Sequence, residues 1–175
     1  GVLCSRMAVA VATDPEPIAA TIFPGGDGHS VLGGQHRCIT GQCGMLALAY
    51  DAFHDRLSAA DRAALGAYIE REIVAPFLTY LLDSGETRQL SLGMNIAWWE
   101  FYVCLWSLAA LYDPERPRQR RGLEMCGDLV RRGLHMGVDT TGVVGEGPFY
   151  ASIELFAWVM TAEVLRRAGV CDLWQ

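Results

Sequence analysis

The chain contains no lysine: its 14 basic residues are all arginine. We read this as a bias of the source genome, and it leaves the chain rich in the side chain that grips carboxylates with two parallel hydrogen bonds. Positive charge is also in short supply. The formal net charge of −6 argues against nucleic acid as the main partner. Cysteines at 4, 38, 43, 104, 126 and 171 form no C-x-x-C pair. A chain of this size needs no disulfide scaffold, so most of them read as small buried hydrophobes. No signal-peptide pattern is visible. The most apolar run, around 101–112, includes Tyr, Cys, Trp and Ser and is too short to span a bilayer, so no membrane partner is expected. No alternation of period two is long enough to make a sheet.

Half of the 175 residues are hydrophobic, which excludes a disordered chain and is enough for one domain with a core. Residues 1–13, "GVLCSRMAVAVAT", read as a helix tail stopped by "DPEP", which suggests a start inside a larger fold. The Gly-rich stretch 21–37 reads as a loop. Helical periodicity then predicts helices over about 39–57, 59–82, 96–112, 118–136 and 148–168. Ser58 and Asp61 form a near capping box for the second, and Pro76 is placed to kink it. Glycines at 122, 127 and 133 weaken the fourth, and Gly169 is a plausible C′ stop for the fifth. The expectation is an all-α chain of antiparallel hairpins. One helical domain spans 1–175, with a helix tail and loop in 1–38 and the hairpins in 39–168. The segments 96–112 and 148–168 are apolar nearly all round, which predicts burial on more than one side.

Helix parity puts the starts of those two segments at the same end. Asn95 opens the first, and Tyr150 lies in the first turn of the second, behind Pro148. A helix N-terminus favours negative charge, hence a tyrosinate and a better base. An Asn amide is suited to a substrate carboxylate, whose charge must be stabilised if a proton beside it is to leave. Each residue also has a plainer reading. Asn95 is a good N-cap, Tyr150 a packed phenol, and Glu146 a first-turn carboxylate that complements the helix dipole.

Three stretches carry a resemblance: "MLALAYDAFHDRLSAADRAAL" (45–65), "NIAWWEFYVCLWSLAALY" (95–112) and "GVVGEGPFYASIELFAWVMTAEVL" (142–165). In this order they resemble the helical domain of the heparinase II/III-like and alginate lyase-like polysaccharide lyases. The resemblance implies a partial (α/α) toroid and β-elimination on a uronic-acid-containing polysaccharide. It implies that Asn95 neutralises the substrate carboxylate and that Tyr150 is the catalytic tyrosine, with Glu146 orienting substrate or the turn. It further implies a periplasmic or secreted location. Ile96 follows Asn95 where family members commonly carry His, and no β-sheet domain follows "CDLWQ". The expectation is therefore the helical part of a larger enzyme, docking to a β-sheet domain or to a second copy of itself.

Trp98 and Trp99 are about 100° apart on a helix, so one of them is placed to stack on a sugar face. His36 and Arg37 are placed to face substrate if their loop folds over the cleft. His36, Cys38 and Cys43 do not match a zinc spacing and lack a fourth ligand, so no metal is expected, and no cofactor is implied. "RPRQRR" (116–121) reads as a solvated connector. Two other functions compete. A glycoside hydrolase would need paired carboxylates, for which Glu100, Glu146 and Glu154 are available. A non-catalytic helical module would bind acidic glycan or protein through an exposed apolar edge.

Overall fold

The computed structural model describes residues 46–83, 95–137 and 148–175, with the side chains of 95–100, 134–137 and 148–154 excepted. Every regular element among them is helical. Helix α1 covers 46–52 and is followed by a 3-10 turn, His54–Arg56. Helix α2 is Ala59–Ile69 and α3 is Ala75–Asp83, joined without a break through the wide turn Glu70–Val74. Helix α4 is Asn95–Ala110, α5 is Pro117–Gly137 and α6 is Pro148–Arg167. The chain is all-α, as its periodicity predicts.

Four of the helix boundaries have a local cause. The Ser58 hydroxyl accepts from the Asp61 N–H at 3.1 Å and donates to the Asp61 carboxylate at 2.8 Å. The reciprocal half of a capping box would have that carboxylate accept the Ser58 backbone N–H; here it takes the hydroxyl instead. Pro117 and Pro148 each begin a helix, at the position where a missing N–H costs nothing. At the end of α6, Gly169 takes φ +67°. Its N–H donates to Arg166 O, and the Val170 N–H reaches back to Leu165 O at 3.1 Å. These are the two bonds of a Schellman stop.

At Pro76 the chain stays helical, directly after the wide turn. A proline inside an α-helix clashes with the carbonyl four residues back and leaves one bond unmade. Here the turn before it widens, and the Ala75 N–H donates to Glu70 O, five residues back. The proline therefore sits in a continuous helix.

The core is built around α4. Phe101, Tyr102, Val103, Cys104 and Leu105 are all buried, so every side of this helix has a neighbour. The wide turn, α5 and α6 all pack against it. Phe101 meets Phe77 edge-on at 5.9 Å and Tyr102 at 6.3 Å, and Tyr102 stacks on Trp106 at 6.4 Å. Edge and offset contacts of this kind each stabilise by about 0.5–1.5 kcal/mol beyond the area they bury. Two of the glycines that seem to weaken α5 are contact points. A Cβ at Gly122 would run into Leu78 Cδ2 and lie 3.3 Å from Leu108 Cδ2. One at Gly127 would lie 2.8 Å from Cys171 Sγ. They let α3, α4 and the C-terminal tail approach the α5 backbone.

Burial on more than one side fails for α6. Ala157, Trp158, Thr161, Ala162 and Leu165 are buried, whereas Leu155 and Phe156 are each 56% exposed and Val159 45%. Among the described elements only α4 and α5 pack substantially against α6, so its outer face is left without cover.

Candidate functional site

The sequence places the candidate chemistry at the starts of α4 and α6. Asn95 is the first residue of α4, and Tyr150 is the third residue of α6, behind Pro148 and Phe149. The two helices pack side by side. Their C-terminal halves line one hollow, with Trp106 and Ala109 from α4 facing Met160 and Val164 from α6. The helices therefore run in the same direction, and Asn95 and Tyr150 begin them at the same, opposite end. First-turn N–H groups in both helices lack intrahelical partners, which makes that end the one that favours an anion.

The side chains of Asn95, Trp98, Trp99 and Tyr150 lie outside those described. Residues Glu146, His36 and Arg37, with Cys38 and Cys43, lie outside the described residues altogether. So do the side chains of Glu100 and Glu154. What is on view is the backbone that carries Asn95 and Tyr150.

The hollow at the other end was not apparent in the sequence. It has a volume of about 260 Å³ and is walled by α1, α4 and α6, with Leu48, Asp51 and Arg167 contributing. Trp106 is half-buried and forms part of this wall. Its indole Nε1 is buried and has no hydrogen-bond partner among the described residues. The carbonyl ends of two helices meet here, which disfavours an acidic chain. Arg167 does not reverse that balance, because its Nε already donates to Glu163 at 2.6 Å. The described hollow is thus electrostatically the wrong end for a uronate.

Among the described residues, shifted titrations occur in the last turn of α6, within α5 and in the C-terminal tail. Hydrogen bonds from Arg166 first, and then Arg167, pull the Glu163 carboxyl down to about 2. Burial raises the Cys126 thiol, and the nearby Cys171 raises it further. The Asp83 hydrogen bond raises the Arg118 guanidinium. At the start of α5 and just before it, Arg118 pairs with Asp83, Arg120 with Glu124 at 3.1 Å and Arg116 with Asp113 at 3.6 Å. Residues 117–121, expected as a connector, are instead the start of α5; their arginines face solvent there, and these exposed pairs occupy guanidiniums that would otherwise be available to an external anion.

Among the described residues no group of His, Cys, Asp and Glu is placed to hold a metal, and no helix is long and apolar enough to cross a membrane. Cys104 and Cys126 are buried, as expected of small hydrophobes, while Cys171 is partly exposed. His54 is exposed and lies edge-on to Tyr50 at 5.5 Å. No protein-family model matches the chain, and neither the curated proteins nor the solved structures give a match.

Proposed function

We propose that this chain is the helical part of a polysaccharide lyase that cleaves uronic-acid-containing glycans by β-elimination. The observation that carries the reading is the shared direction of α4 and α6, which starts Asn95 and Tyr150 at one anion-favouring end. In the proposed reaction the Asn95 amide hydrogen-bonds the uronate carboxylate and stabilises the charge that builds up as the C5 proton leaves. The ionised Tyr150 oxygen takes that proton. The C5 electron pair forms the C4–C5 double bond as the C4–O bond breaks, and the Tyr150 phenol returns the proton to the departing oxygen. Proton and electron pair both balance without a cofactor. Glu146, Trp98 or Trp99, His36 and Arg37 would orient the sugar chain around this pair.

The resemblance places such an enzyme in the periplasm or outside the cell. The uncovered strip of Leu155, Phe156 and Val159 supports a docked partner, either a β-sheet domain or a second copy. The same strip favours the alternative of a non-catalytic module that binds through this face. A panel of uronate polysaccharides, followed by the ultraviolet absorbance of new conjugated double bonds, separates the two. Under the lyase reading Tyr150→Phe lowers turnover by about 10²–10⁴-fold, the usual worth of a positioned acid–base group, and leaves glycan binding and the circular dichroism spectrum unchanged. Glycan binding without absorbance from the native chain, or turnover that survives Tyr150→Phe, would sink the proposal.

A further inference from the structure

We propose that Cys126 and Cys171 are a modification site: a dithiol that a low-molecular-weight disulfide such as oxidised glutathione closes into a disulfide, stapling the C-terminal tail to α5. The inference is independent of the lyase reading. It rests on how the chain leaves α6. The Schellman stop at Gly169 turns the backbone, with the Val170 N–H bonded to Leu165 O, and delivers Cys171 to α5. There the absence of a side chain at Gly127 makes the room: a Cβ at that position would lie 2.8 Å from Cys171 Sγ and 3.9 Å from Leu165 Cδ1. The residue next to this niche on the same helix is Cys126. Both thiols are free, and each residue packs with the core, Cys126 inside it and Cys171 at its edge. Burial first, and then the charge of Cys171, raises the Cys126 thiol.

The difference in exposure sets the order of events. Cys171 is partly open to solvent, so its thiolate meets the small disulfide first. It attacks one sulfur, forms a mixed disulfide and expels one small thiolate. The Cys126 thiolate then attacks Cys171 Sγ, the protein disulfide forms, and a second small thiolate leaves. Two protons pass from the cysteines to the two released thiols, and the two electrons are carried off by the small-molecule pair. Burial raises both thiols, so both steps speed up with rising pH. A disulfide needs Cα atoms about 4.4–6.8 Å apart, so closing it would fix the tail beyond Gly169 against α5 at that distance.

The test uses the whole chain, fully reduced, freed of reductant and held with oxidised glutathione at about pH 8.5, near the ordinary thiol pKa. Free thiols are then alkylated and the digest is mapped by mass spectrometry. The expected product is a peptide containing Cys126 joined to one containing Cys171, lost on adding dithiothreitol. Cys126→Ala should stop the reaction at glutathione on Cys171, and Cys171→Ser should leave Cys126 unmodified. The native-chain map decides the matter even if a variant folds poorly. A native chain that stops at the mixed disulfide, that joins Cys171 to a different cysteine, or that leaves both thiols free overturns the proposal.

Discussion

Helices α4 and α6 lie side by side and run the same way, yet their surroundings are opposite. Five successive residues of α4, Phe101–Leu105, are buried, and its Ser107 hydroxyl, also buried, donates to Val103 O at 2.7 Å. On α6 the buried residues make one stripe, Leu155, Phe156 and Val159 stand in solvent, and the buried Thr161 hydroxyl has no partner. A helix with no polar face can be buried only if it has neighbours on all sides. The wide turn, α5 and α6 supply them for α4. Among the described elements α6 has only α4 and α5, so two similarly apolar sequences give one finished helix and one open face. The open face is the physical basis for expecting a partner.

The sharpest way to break this comparison is to truncate one leucine on each helix. Leu105→Ala, at a fully buried position, should cost about 2–5 kcal/mol, read as a lower urea midpoint. Leu155→Ala should stay within about 0.5 kcal/mol while reducing any self-association seen by sedimentation. Equal losses would mean that the α6 face is covered in solution.

A smaller effect is expected at the buried Thr161 hydroxyl. Thr161→Val replaces an unpartnered group with one of the same shape and should raise stability by up to about 1 kcal/mol. A loss instead would show that the hydroxyl has a partner in solution.

The smallest effect belongs to the last turn of α6. Glu163 is held at about 2, below the roughly 4.3 of an ordinary glutamate. Because the folded-state value is depressed, the contribution is fully present above the unfolded value and is lost as pH falls toward 2. The pair is exposed and salt-screened, so Glu163→Gln should lower Tm only slightly at pH 7. The gap between the two proteins in thermal melts should close as the pH drops from about 4.3 toward 2. A gap that persists at low pH would exclude the ion pair as its cause.

Much of the frame was legible because stops and starts are local. Ser58 and Gly169 act through bonds to their own neighbours in sequence, and Pro148 through the N–H it lacks at the first helical position. The glycines of α5 misled because their role is non-local: only the approach of Leu78 and Cys171 explains a missing side chain. The exposure of Leu155 and Phe156 was hidden for the same reason, since composition demands a neighbour but does not supply one. For the candidate site, the sequence indicated an order of residues and a shared helix direction. The hollow near Trp106 was illegible, because it arises where three helix ends fail to fill space.

The wide turn at Glu70–Val74 makes one helix tolerant of a change in length. Closing a turn over five residues rather than four absorbs one extra residue, about 100° of rotation, so α2 and α3 keep their own buried faces. Excising Arg71 together with Pro76→Ala would leave an ordinary α-helix with Leu65 and Phe77 still directed at the core. The same excision within Phe101–Leu105 would swing every later side chain of α4 off its neighbours. Insertions and deletions in relatives of this chain should therefore gather at the turn and avoid the centre of α4.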